Sequence, residues 1–147
     1  MSLKEQISQD TKAAMKARDK QRLGTLRLLG AAIKQREVDD RVELSDDDIT
    51  AIITKMIKQR KDSAEQYQQA GRTELAEQEN YEISVLQAYL PEPLSEAELD
   101  AVIQATINET GASSMADMGV VMNALRPKIA GRADMGVASA KIRALLS

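Results

Sequence analysis

The chain has 147 residues, of which 43% are hydrophobic and 29% charged, with a net charge of -3. That length suits one domain or two small ones, and the composition is that of an ordinary folded chain rather than a disordered one. With no Cys and no His, disulfides, thiolate nucleophiles and imidazole acid–base catalysis are excluded, and carboxylates remain as the only metal ligands. The aromatic residues are Tyr67, Tyr81 and Tyr89 alone. A core of Leu, Ile, Val, Met and Ala without rings favours packed helices over a β-sandwich.

Ser2 with Glu5 has the spacing of a capping box, and Leu3, Ile7, Ala14 and Ala17 follow at helical intervals. They predict a helix over 2–18. Leu23, Leu26, Leu29 and Ile33 predict a second helix ending near Glu37, with "VDDRVE" (38–43) as a polar connector. Ser45 and Asp48 cap a third, which carries Ile49, Ile52, Ile53, Met56 and Ile57 and runs to Ala70 before the stop at Gly71. A fourth starts at Thr73 and carries Leu75, Tyr81, Val85, Leu86, Tyr89 and Leu90. "PEP" at 91–93 breaks the pattern, because proline cannot continue a helix and restricts the residue before it. Here the expected boundary falls, between an N-terminal helical domain (1–92) and a small C-terminal three-helix domain (93–147).

In the second part, Ser95 with Glu98 caps a helix carrying Leu99, Val102, Ile103 and Ile107 up to Gly111. Ser114 with Asp117 caps the next, which carries Met118, Val121, Met122 and Leu125 and is expected to end before Pro127. Asp134 caps a last helix with Val137, Ala138, Ile142, Leu145 and Leu146. No strand pattern and no internal repeat is present, so the expected fold class is all-α.

Charge is laid out in blocks. Residues 73–125 hold ten acids and no base, whereas 126–147 hold Arg126, Lys128, Arg132, Lys141 and Arg143 against the single Asp134. Such segregation points to partner surfaces. Arg126 and Lys128 flank Pro127, and Arg132 directly follows Gly131. A tight turn there exposes backbone N–H groups, and the helix beginning at Asp134 adds its positive end, so the corner is a candidate phosphate cradle that Lys141 and Arg143 extend. Without aromatics for stacking, it would read shape and phosphate rather than base sequence. The competing reading pairs Arg132 with Asp134 and leaves the rest solvated. A second basic set (Lys12, Lys16, Arg18, Lys20, Arg22, Arg27) lines the first hairpin and reads as a solvated face.

Catalytic motifs are missing. "GASSM" (111–115) has no nucleophile-elbow spacing, and no glycine-rich phosphate loop occurs. Asp46, Asp47 and Asp48 fit the first turn of a helix better than an EF-hand loop. Met115, Met118, Met122 and Met135 read as filling for a core without rings, with a partner-helix groove as the alternative. No cofactor or metal is expected.

Four stretches carry a resemblance: "MKARDKQRLGTLRLLGAAIKQRE" (15–37), "IKQRKDSAEQYQQAGRTELAEQE" (57–79), "YLPEPLSEAEL" (89–99) and "GASSMADMGVVMNALRPKIAGRAD" (111–134). Together they resemble the YqeY family, the stand-alone relatives of the tail of the B subunit of glutamine-dependent aminoacyl-tRNA amidotransferase. The resemblance implies an all-helical, two-part fold and a tail that helps hold tRNA while chemistry resides elsewhere. The family's label, carbon–nitrogen ligase activity with glutamine as amide donor, belongs on this reading to the larger enzyme. The "KIAGRAD" match marks Lys128, Gly131, Arg132 and Asp134 for RNA contact, while Gly119 in "MGVVM" equally suits close helix packing.

The expectation is a non-catalytic tRNA-associating accessory protein that touches phosphates weakly through Arg126, Lys128, Gly131, Arg132, Lys141 and Arg143. The alternative is an adapter whose acidic block, 73–125, docks a basic partner such as a tRNA-charging enzyme. "MSLKEQISQD" has neither signal nor transit character and no run is long enough to span a bilayer, so a cytoplasmic protein with no membrane contact is expected.

Overall fold

Helix starts are set by short polar side chains that satisfy backbone N–H groups otherwise left free. The computed structural model describes all 147 residues, as seven α-helices, one short 3-10 turn and no strand. The all-α expectation therefore holds. Ser2 opens α1 (Leu3–Lys16), its hydroxyl accepting from the Glu5 N–H, and Asp19 opens α2 (Lys20–Asp40), accepting from Arg22 N–H at 3.1 Å. Full capping boxes open α3 (Asp46–Gln69) at Ser45 with Asp48 and α5 (Glu96–Thr110) at Ser95 with Glu98. Asp46, at the first residue of α3, also accepts the Leu3 N–H from α1 at 3.0 Å. Asp46 and Asp48 are thus engaged as helix-start residues, and Asp47 stands with them in the first turn. Between α3 and α4 (Thr73–Gln87), Gly71 takes φ of 72°, in the left-handed region that favours glycine.

Several boundaries differ from the pattern reading: α4 stops at Gln87, short of Tyr89 and Leu90, and two further helix ends move. The α2 helix continues past Glu37 to Asp40, because nothing in "VDD" breaks a helix and Gln35–Asp39 and Arg36–Asp40 add one-turn contacts. It stops at Arg41, whose φ is 55°. The α6 helix (Met118–Ile129), preceded by the 3-10 turn Met115–Asp117, passes through Pro127 instead of ending before it. The proline sits in the last turn, where its missing N–H removes one bond, while fully buried Ile129 holds the turn in the core.

The chain divides into two compact units, Met1–Leu90 and Pro91–Ser147. In the first, α3 packs along α4 and α1 along α2, around Leu29, Ile49, Ile53 and Leu86. Leu26 and Val85 form a smaller cluster with Tyr81 and Tyr89 against it. All three tyrosines belong to this unit. The Tyr89 hydroxyl donates to Asp10 at 2.6 Å, and burial, then this bond, raises its pKa well above the ordinary phenol value. The second unit packs α5, α6 and α7 (Met135–Leu146) around Ile103, Val121, Leu125, Ile129 and Ile142, each fully buried. Met118, Met122 and Met135 lie half-buried against that core, so core filling describes them; Met115 stays 42% exposed.

One half-buried ion pair crosses the α3–α4 interface: Arg60 Nε lies 3.2 Å from Glu82 Oε2, with the side chains 15% and 14% exposed. Beside it, burial, followed by repulsion from Glu82, raises the pKa of Glu79. A carboxyl raised in the folded state binds its proton more readily there than in the unfolded chain. Stability from this group is therefore greatest below the unfolded pKa and is lost as pH rises through the window up to the folded value. Glu79→Gln is expected to raise Tm at pH 7 and to leave it unchanged near pH 3, a difference that two thermal melts by circular dichroism resolve.

Candidate nucleic-acid interface

Among the bases of the second unit, the lysines and the arginines have different fates. Lys128, in the last turn of α6, donates to Glu109 Oε2 at 2.6 Å and to the Thr106 hydroxyl at 3.1 Å, both on α5. Lys141, on α7, sits between Asp100 at 2.8 Å and Glu96 at 3.1 Å, also on α5. Its hydrogen bonds to Asp100 and then Glu96 raise its pKa. The sequence-segregated charges therefore meet in space: acidic α5 is the internal counter-surface of the two lysines.

The arginines make no such pair. Arg126 and Arg143 are exposed, and neither has a carboxylate within 4.0 Å. Arg132 is half-buried and donates through Nε to the carbonyl of Glu92 at 2.9 Å, while its own carbonyl accepts the Leu94 N–H at 2.8 Å. This two-way clasp ties the "PEP" segment to the turn between α6 and α7, and it replaces the local Arg132–Asp134 pair considered from sequence. Asp134 instead caps α7, accepting from Gly136 N–H at 2.7 Å. Gly131, at φ of 73°, makes the turn possible.

The expected cradle of free amides is narrower than the sequence implied. The N–H groups of Arg132 and Ala133 both donate to the Ile129 carbonyl, and that of Gly136 to Asp134. The basic side chains of this unit left without a carboxylate within 4.0 Å are those of Arg126, Arg132 and Arg143. An arginine fork matches two phosphate oxygens and keeps its charge at any relevant pH. The residues missed from sequence are the counter-charges Glu96, Asp100 and Glu109 with buried Thr106. The one available signal was an acid-only helix lying just ahead of a basic segment.

The acidic block is correspondingly reduced as a docking surface. Glu82 pairs with Arg60, and Glu96, Asp100 and Glu109 pair with lysines. No helix is long and apolar enough to cross a membrane.

These features define an all-helical protein of two small units with a basic, arginine-bearing turn near its end. The family profile described as "Yqey-like protein" matches residues 4–146, and the chain belongs to that family. The chain is 37% identical over 106 residues to "Altered inheritance of mitochondria protein 41, mitochondrial" of Lachancea thermotolerans, covering 70% of this chain and 57% of that one. The protein of the same name from Eremothecium gossypii is 35% identical, with 63% and 51% covered. That from Pyrenophora tritici-repentis is 31% identical over 142 residues, with 93% and 77% covered. The chain thus spans little more than half the length of the first two relatives. Their names correct the cytoplasmic expectation, since each reads mitochondrial. That expectation rested on features the sequence lacks, which carry no information about compartment.

Proposed function

We propose that this Yqey-like chain is a non-catalytic accessory protein that associates with tRNA through the arginines of its C-terminal unit. The observation that carries the reading is the division of labour among the bases there. Both lysines are held by α5 carboxylates, whereas Arg126, Arg132 and Arg143 have no carboxylate partner. The likeness of the sequence to the amidotransferase tail supports the same ligand class. Few phosphates are engaged, so binding is weak and salt-sensitive, with a shallow logarithmic slope.

The test is titration of bulk tRNA at two salt concentrations with wild type and an Arg126→Glu/Arg143→Glu double variant. The double variant is expected to bind roughly tenfold more weakly at low salt and to flatten the logarithmic salt slope by about 2. Both side chains are exposed and unpaired; an acid in the last turn of α6 and of α7 costs roughly 0.3–1 kcal/mol each through the helix dipole, so a thermal melt beside the titration separates lost binding from lost fold. Equal binding by the two proteins would remove this surface from the proposal. The adapter reading has less to work with, because four carboxylates of the acidic block already have internal partners.

A further inference from the structure

The first unit carries a denser positive surface than the second. The α1 and α2 helices pack together and are joined by a turn of three residues, Ala17 to Asp19. Around that turn stand Lys12, Lys16, Arg18, Lys20 and Arg27, all exposed, with Arg22 half-buried among them. None of the six has a carboxylate within 4.0 Å. The two acids of the corner are occupied elsewhere: Asp10 accepts from the Tyr89 hydroxyl, and Asp19 accepts the Arg22 N–H as the cap of α2. The α4 helix meets α2 here through an uncharged contact, Gln21 to Gln78 at 3.1 Å.

Two further features argue against an indifferent solvated face. Arg18 occupies a left-handed backbone position, φ 57°, where glycine is favoured, so a long cation is kept at the tip despite a conformational cost. Lys12 and Lys16 are one helical turn apart, about 6 Å along the axis, and so form a row rather than a scatter. A row of unpaired cations at a convex corner fits a charged polymer. A lipid surface is less well matched, because the exposed large apolar side chains at the corner are limited to Met15 and, beside Arg27, Leu28.

We infer that the α1–α2 corner, built from Lys12, Lys16, Arg18, Lys20 and Arg27, is a second polyanion-binding surface that takes the phosphate backbone of RNA. It lies in a different unit from the C-terminal arginines and can succeed or fail independently of them, although RNA as the polymer rests on the reading above. The test variant is Lys12→Glu/Arg18→Gly/Lys20→Glu. Arg18→Gly relieves the left-handed position, and Lys20→Glu places an acid in the first turn of α2, so the variant is expected to melt no lower than wild type. Unfractionated tRNA and vesicles containing phosphatidylserine are the two probes, each titrated against wild type, this variant and Arg126→Glu/Arg143→Glu.

The corner variant is expected to lose at least tenfold in tRNA affinity and about 2 to 3 units of logarithmic salt slope. Loss in the corner variant alone supports the corner and sinks the C-terminal surface, and loss in both variants supports both. Loss only in the C-terminal variant overturns the corner and leaves the proposed function standing. Unchanged tRNA binding by the corner variant with lost vesicle binding also overturns it, in favour of a membrane contact.

Discussion

Leu125→Ala is expected to lower the stability of the C-terminal unit by about 3 kcal/mol. Leu125 is completely buried at the centre of α6, among Ile103, Val121, Ile129 and Ile142. Truncation removes its transfer free energy and leaves a cavity that three short helices cannot refill without shifting. The unit runs only from Pro91 to Ser147 and has no disulfide. Cores of that size supply roughly 3–5 kcal/mol, so the loss is most of what holds the unit together. Hydrogen exchange should show amides of α5, α6 and α7 losing protection at room temperature. Val120→Ala, on the same helix but 57% exposed, should change stability by less than about 0.5 kcal/mol. Equal protection in the two variants would mean that Leu125 is not the keystone its burial implies.

Glu82→Ala is expected to cost about 2–3 kcal/mol, for a different reason. Arg60 and Glu82 bridge α3 and α4 with little solvent around either side chain. Removing the carboxylate leaves the Arg60 guanidinium with the Met56 carbonyl, 3.2 Å from Nη1, as its remaining hydrogen-bond partner and Glu79 as the nearby opposite charge. Most of the penalty is the desolvation of a charge that Glu79 compensates only in part, rather than the lost attraction. The paired replacement Arg60→Met/Glu82→Leu removes both charges and should recover much of the loss. Urea denaturation of the three proteins separates these terms. A double variant as unstable as the single one would show that the pair stabilises through its attraction and not merely by mutual compensation.

The parts of the fold that were legible in the sequence are local ones. Ser45 with Asp48 and Ser95 with Glu98 announce helix starts within four residues, and the structure shows both boxes closed. Gly71 and Gly111 mark stops because only their own φ is at issue. The boundaries that moved depend on distant atoms. Pro127 does not end α6, since the burial of Ile129 outweighs one lost hydrogen bond. The charges followed the same rule. A basic run is visible in a string of letters, but which of its members are neutralised depends on helix packing, and only coordinates show Lys128 and Lys141 turned onto α5. The basic corner between α1 and α2 reads as a solvated face in one dimension, because which of its bases lack an ion-pair partner is visible only in three.

The placement of every aromatic ring before the "PEP" segment has a practical consequence. Intrinsic tyrosine emission reports on the N-terminal unit alone, while far-ultraviolet ellipticity counts helices from both. The offset between the two signals along a single heating ramp therefore measures separate melting directly, with no label and no engineered fluorophore.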